Sequence, residues 1–302
     1  MSRKKVKNLL SINDLSKNDI NKILKEARNY KNSKSIKRNF KNEILTFLFF
    51  ENSTRTKLSF ELAAKKLGIN TLNFNLNSSS LKKGESIYDT LKTLEAMGVS
   101  IICVRHTENY FPKNISNISA ISIINAGDGT NEHPSQALLD LFTLKEKFGT
   151  IKKLKVGIVG DIIHSRVARS NIFALNKFGA KIFICGPKNL IPKNLNKYNV
   201  TKLTSVDELI KKVDVLITLR IQFERLNKKE FPSKKIYYKH FGITSGRIKK
   251  NNPKIYIMHP GPINREVEIS SEVADSKNSL ILEQVANGIP VRMGILNWIL
   301  TK

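Results

Sequence analysis

The chain has 302 residues, enough for two domains of ordinary size, each with its own core. Its longest apolar stretches, such as 44–50 and 213–219, reach strand length and fall well short of the ~20 residues that span a bilayer. The N-terminus is basic but lacks the apolar core and cleavage site of a signal peptide, so a soluble cytoplasmic protein with no membrane partner is expected. The net charge of +27 is carried by lysine: 40 of the 52 basic residues are Lys and 12 are Arg, scattered among Asn and Ile. With no helix-turn-helix, zinc-finger or RNA-binding aromatic pattern beside it, this excess reads as solvated surface with no nucleic-acid partner, a basic nucleic-acid-binding protein being the alternative from another class. The positive field it creates attracts anionic substrates all the same.

The first 43 residues read as a helix and a polar connection. From Ile44 onward, apolar strand-like runs alternate with amphipathic helices: "ILTFLFF", the helix of "STRTKLSFELAAKKLG", "NTLNFNL", the helix of "SIYDTLKTLEAMG", "SIICVRH" and "ISIIN". Near-continuous apolar strands separated by helices imply a parallel sheet covered on both faces. After the Gly-rich turn "NAGDGTNEH" comes a longer helix, "HPSQALLDLFTLKEKFG", with Gly149 as its C-cap. The pattern then restarts with "LKVGIVGD", the helix "SRVARSNIFALNKFG", "KIFICGP", "VDVLITLRI" and "KIYIMHP", and "VRMGILNWIL" reads as a closing helix. The expected fold class is therefore α/β: two similar domains, each a parallel sheet covered by helices, with a cleft between them.

Cys103 and Cys185 both sit in strand-like runs and read as buried thiols in a reducing compartment, with no disulfide and no metal site. There is no P-loop, and Gly157 and Gly160 form a G-x-x-G that lacks the third glycine of a dinucleotide fingerprint. "STRT" is more informative, because it stands between a strand and a helix. Ser53 and Thr54 are good N-cap types, first-turn N–H groups and the helix dipole favour an anion there, and Arg55 adds a planar fork suited to phosphate oxygens. By itself this segment reads equally as an ordinary cap. Further polar residues, however, fall at strand ends and helix starts: Arg105 and His106 in "CVRH", His133 and Gln136 in "EHPSQ", and the turn "HPGP".

Together these stretches resemble the aspartate and ornithine carbamoyltransferase family, on its aspartate-specific side. The resemblance runs from about Asp14 to the C-terminus. It rests on "FFENSTRTKLSFELAAKKLG", "SSSLKKGESIYDTLKTLEAMG", "VRH", "NAGDGTNEHPSQALLDLFTL", "VGDIIHSRVARSN", "RIQFERL" and "HPGPINREVEI", in the family's order. It implies transfer of the carbamoyl group of carbamoyl phosphate to the α-amino group of L-aspartate, with no metal and no organic cofactor. Residues 1–132, completed by a C-terminal helix at 284–302, would bind carbamoyl phosphate, and residues 133–283 would bind aspartate.

By the family's pattern, Ser53, Thr54, Arg55, Thr56, Arg105, His133 and Gln136 would hold carbamoyl phosphate, with the backbone of Gly261 and Pro262 reaching its amino group. Ser80 and Lys83 would lie on a loop entering a neighbouring subunit's site, and Arg166, Arg220 and Gln222 would clamp the aspartate carboxylates, with Lys83 assisting. The family's catalytic chains form homotrimers; regulatory chains and a dihydroorotase partner are not legible in one catalytic sequence.

Arg55, Thr56, Lys83, Arg105 and His133 are thus the expected catalytic set. No Ser-His-Asp or Cys-His arrangement is present, and none is required. Two positions depart from the pattern: Asn52, where the family usually has proline or alanine, and Lys57, where a second arginine is common. Against the ornithine branch, the chain lacks a lysine two residues before STRT, has "HPGP" in place of "HCLP" and lacks a D-x-x-x-S-M-G segment. Arg220 and Gln222 also suit a second carboxylate better than an ammonium group.

Overall fold

Strands that are apolar on both faces need helices on both sides, and the chain supplies them twice. The computed structural model describes residues 6–37, 39–74, 84–221 and 233–301. It divides into two compact units, Met1–Leu139 with Asn287–Lys302, and Asp140–Ala286.

The first unit contains α1 (Lys17–Asn32), β1 (Ile44–Phe49), α2 (Thr54–Leu67), β2 (Asn70–Leu72), α3 (Ile87–Ala96), β3 (Ile101–His106), α4 (Phe111–Ser116), β4 (Ser122–Asp128) and the start of α5 (Pro134–Phe148). α1 begins at a capping box, in which the Ser16 hydroxyl accepts from Asp19 N–H while the Asp19 carboxylate accepts from Ser16 N–H. It then buries Ile20, Ile23, Leu24 and Ala27, a helical stripe. The strands form a parallel sheet in the order β2-β1-β3-β4. Leu48, Leu91, Leu94, Ile102, Val104 and Ile123 are central to a core on that sheet.

The second unit contains β5 (Lys155–Val159), α6 (Arg166–Lys177), β6 (Lys181–Cys185), β7 (Thr201–Lys202), α7 (Val206–Lys212), β8 (Val215–Thr218), α8 (Lys234–Phe241), α9 (Ser245–Asn251), β9 (Tyr256–Met258), α10 (Ser271–Ala274) and the start of α11 (Ile281–Leu300). Its parallel sheet runs β7-β6-β5-β8-β9, with Cys185, Leu209, Leu216, Ile257 and Ile269 in its core.

Each sheet starts at an inner strand, grows to one side and then to the other. Strand order therefore reverses between β1 and β3 in the first unit and between β5 and β8 in the second. At such a switch point the connections leave in opposite directions and open a crevice at the carboxyl ends of the two strands.

Two elements differ from the sequence expectation. The closing helix starts at Ile281, three residues before the expected start at 284, and continues through Pro290 to Leu300. An interior proline costs about 3 kcal/mol. Burial of Val291, Met293, Ile295 and Leu296, each at most 1% exposed, offsets it. The run at 70–76 gives a strand only over Asn70–Leu72, and residues 75–83 lie outside the described residues.

Both cysteines are buried and unpaired. Burial raises the Cys103 thiol far above its ordinary range and pushes that of Cys185 up to about 11. Neither is expected to react with a disulfide reagent at pH 8 until the protein is denatured; rapid labelling of native protein would contradict this burial. Unfolding returns the thiols to their ordinary range, so folding stability should be fully held below pH 9.0 and decline as pH rises toward about 11.

Candidate active site

In the first unit Ser53–Thr56 follow β1 and Arg105 lies near the end of β3, the two strands of the switch point, while His133 and Gln136 follow β4. β1 ends at Phe49, and four residues later Ser53 stands as N-cap of α2. Its hydroxyl makes no capping bond, unlike those of Ser16, Ser86, Ser165, Ser205, Ser233 and Thr244, which cap their helices. Of the two readings left open for this segment, an ordinary cap and an anion site, the hydroxyl does not make the ordinary cap's bond to a first-turn N–H. Thr54 and Arg55 are exposed, whereas Thr56 is 6% exposed and faces inward.

Arg105 is delivered from the neighbouring strand. β1 and β3 are in register with Phe49 opposite Arg105, and Phe50 N–H donates to the Arg105 carbonyl at 2.8 Å. On its other side the β3–β4 register shifts between Val104 and His106, an irregularity that re-aims the side chain lying between them. The guanidinium donates through Nη1 to the Ala126 carbonyl at 3.1 Å and forms an ion pair with Glu51, Nε to Oε2 3.3 Å. A second anion at Arg105 therefore competes with a carboxylate supplied by the loop that follows β1. The sequence reading missed Glu51 as a partner, although it immediately precedes the motif.

His106, next in sequence, has a structural part. Its ring stacks on Phe111, centroids 3.8 Å apart, its Nδ1 accepts Glu108 N–H at 2.9 Å, and burial lowers its pKa.

The turn before α5 is held by two buried carboxylates that sequence reasoning also missed. Asp128, 1% exposed, accepts from Tyr110 N–H at 2.6 Å, Asn125 Nδ2 at 2.8 Å, Glu132 N–H at 3.0 Å and Asn131 Nδ2 at 3.0 Å. Glu132 accepts Ile12 N–H at 3.0 Å and the Ser11 hydroxyl. These bonds fix the residue just before His133. His133 is 5% exposed, with Ser135 Oγ 3.4 Å from its Nδ1, and its carbonyl accepts Gln136 N–H at 3.0 Å. The acidic residues of "GDGTNEH" were the available signal, since acids in a glycine-rich turn are so often turn formers.

The second unit repeats the arrangement at the β5–β8 switch point. After β5, Asp161 is 3% exposed and accepts His164 N–H at 3.0 Å, with His164 Nδ1 3.0 Å from its Oδ2. Ser165 caps α6, accepting Ala168 N–H at 3.1 Å, and Arg166 is the buried first residue of that helix. Arg220 lies two residues past the end of β8 and is half-buried. The "HPGP" turn follows β9, with Gly261 at φ +64°, a left-handed conformation glycine adopts without strain. The structure thus brings Arg166 and Arg220 to one switch point. Ser80, Lys83 and Gln222 lie outside the described residues.

Each unit is thus an open parallel α/β domain with a strand-order switch point, one carrying a helix N-terminus and Arg105 and the other Arg166 and Arg220, and positive groups at such points are of the kind that suits anionic ligands. Comparison with known proteins gives the two domains a family. Residues 7–146 match the carbamoyl-P binding domain, and residues 152–299 the Asp/Orn binding domain, of the aspartate/ornithine carbamoyltransferases, and the chain belongs to that family.

The aspartate carbamoyltransferase catalytic subunit of Cytophaga hutchinsonii is 48% identical over 300 residues, covering 98% of each chain. The crystal structure of aspartate transcarbamoylase from Trypanosoma cruzi in complex with carbamoyl phosphate and aspartate is similar in fold, TM-score 0.88 at 28% identity, over 98% of both chains. Ornithine carbamoyltransferase from Pyrococcus furiosus gives a TM-score of 0.86, also at 28% identity, over 97% of this chain and 96% of that one. Fold likeness alone therefore does not separate the two branches.

Proposed function

We propose that the chain transfers the carbamoyl group of carbamoyl phosphate to the α-amino group of L-aspartate, giving N-carbamoyl-L-aspartate and phosphate, an early step of de novo pyrimidine biosynthesis. The observation that carries this reading is the uncapped helix start at Ser53–Thr56 beside Arg105 at a switch point. Phosphate leaves as a polyanion, and negative charge builds on the carbonyl oxygen as the amine attacks. Donors aimed at those oxygens are what the transition state needs, and each well-placed one is worth ~3 kcal/mol.

The assignment gives Ser53, Thr54 and Arg55 to the phosphate, Thr56, Arg105 and His133 to the carbonyl oxygen, and Gln136 to the carbamoyl moiety. Gly261 and Pro262 are assigned to its amino group, and Arg166 and Arg220 to the aspartate carboxylates. The first unit would be the carbamoyl phosphate domain and the second the aspartate domain. Holding both reactants in register supplies much of the remaining acceleration.

A homotrimer belongs to the same proposal. Leu58 and Leu62 on α2 and Leu72 on β2 are 52%, 47% and 41% exposed, and β2 is an edge of its sheet. Apolar side chains beside an open edge support packing against another copy of the chain. Among the described residues no helix is long and apolar enough to cross a membrane, and buried free thiols fit a cytoplasmic setting.

Steady-state assay with each amino acid tests the reading. Carbamoyl-aspartate should form with aspartate, with little product from ornithine, in a species sedimenting as three chains. Citrulline formation without carbamoyl-aspartate would overturn it.

A further inference from the structure

A chain of buried polar groups runs through the second unit, and the proposed chemistry makes no use of it. His259 ends the β9 segment with its ring fully enclosed. Gly261 N–H donates to His259 Nδ1 at 2.8 Å, which leaves the ring proton on Nε2, facing Glu268 Oε1 at 3.1 Å. The same Oε1 accepts the backbone N–H of Asn264 at 2.6 Å, and the Asn264 side-chain amide donates to the Ile221 carbonyl at 3.1 Å. On the far side, His259 N–H donates to Gln284 Oε1 at 2.9 Å, and Gln284 Nε2 donates to Asp140 at 2.7 Å. Asp140 also accepts Asn171 Nδ2 at 2.8 Å. Asp140 and Glu268 are 0% and 2% exposed.

A buried histidine–carboxylate pair is often no more than a satisfied core contact. This one differs in what it grips. Glu268 reaches two backbone sites, Asn264 directly and Gly261 through the His259 ring, and Asn264 carries the connection to Ile221, the residue after Arg220. The turn bearing Gly261 and Pro262 and the loop bearing Arg220 are thereby tied to one carboxylate, remote in sequence from Arg220.

We propose that Glu268 is a positioning residue that, through His259 and Asn264, sets the Gly261–Pro262 turn and the Arg220 backbone relative to each other. The inference rests on the carbamoyl-transfer reading and names the element that aligns the second unit's contacts for it. Glu268 touches no substrate in this scheme. It acts by denying two loops their alternative conformations.

Steady-state kinetics of Glu268→Gln, Glu268→Ala and Asn264→Ala, each checked for folding by circular dichroism, test it. Glutamine keeps an oxygen for both bonds, and its amide nitrogen replaces Oε2, an atom with no hydrogen-bond partner among the described residues. Glu268→Gln should therefore stay within about threefold of wild type in both KM values, even if it melts earlier. Glu268→Ala should raise both KM values and lower kcat/KM by about fiftyfold. Asn264→Ala should raise the aspartate KM by about fivefold and leave the carbamoyl phosphate KM in place, because it cuts only the bond to Ile221.

A general loss of stability would not produce that split. If Glu268→Ala does not fold, Asn264→Ala decides. Unmoved KM values in folded Asn264→Ala, or equal damage from Glu268→Gln and Glu268→Ala, would overturn the proposal while wild type remains active. A wild type without carbamoyl-aspartate activity would overturn the underlying reading, and this inference with it.

Discussion

Replacing Arg55 by alanine is expected to lower kcat/KM for carbamoyl-aspartate formation by about two to three orders of magnitude, the loss associated with removing one transition-state donor. The fold should survive. Arg55 is exposed in the first turn of α2, whereas the buried residues of that helix are Thr56, Phe60, Ala63, Ala64 and Leu67, so truncation opens no cavity. The choice matters because Thr56→Ala would mix lost chemistry with lost packing. Arg55→Lys should recover only part of the activity, since an ammonium supplies a point charge where the guanidinium supplies a planar fork. Binding of a bisubstrate analogue carrying phosphonate and aspartate moieties gives an independent readout. Equal affinity for wild type and Arg55→Ala would refute the assignment of this residue.

Gly186→Ala should be strongly destabilising for a single added methyl, costing about 3 kcal/mol and lowering Tm by about 6–12 °C. A Cβ at this position would lie 2.2 Å from the carbonyl oxygen of Gly160 and 3.3 Å from Ile191 Cδ1. Gly160 cannot easily yield. Its N–H donates to the Cys185 carbonyl at 3.0 Å, and it holds φ +130°, a conformation that side-chain-bearing residues rarely adopt. The two glycines let the carboxyl ends of β5 and β6 approach closely just before Asp161, so the strain would fall at the start of the loop leading to Arg166. Gly246→Ala is the control: nothing lies within 4 Å of its Cβ position. That change in α9 should be neutral or slightly stabilising. A calorimetric scan showing equal Tm for the two variants would remove the packing argument.

Much of this molecule is legible along the chain. Period-2 and period-3.6 apolar patterns are local, so β1, β3, β5, β6 and β8 and helices α2, α5 and α6 could be placed from the sequence within a few residues. The short pieces α4, α7, α8, α9 and α10 were not, because helices of four to eight residues carry too few turns to show a period. The closing helix runs unbroken through Pro290, a local breaker overruled by non-local burial.

By itself, the sequence determined the two-fold α/β plan and the types of side chain at the loop ends: hydroxyls and Arg55 after one strand, Arg105 after another, arginines and a glycine turn in the second half. Those follow from composition and short-range order. Only the tertiary structure decided strand order, and with it which loops share a crevice: β1 beside β3 brings the Ser53 turn to Arg105, and β5 beside β8 brings Arg166 and Arg220 to the same edge. It also decided the partners, Glu51 on Arg105, Glu132 on the chain near Ile12, and Glu268 on His259 and Asn264. The physical reason is that carboxylates leaving water must find donors wherever folding places them, and the two switch-point pairings join segments remote in sequence, Leu45 with Ile101 and Val156 with Val215. No local pattern records either choice.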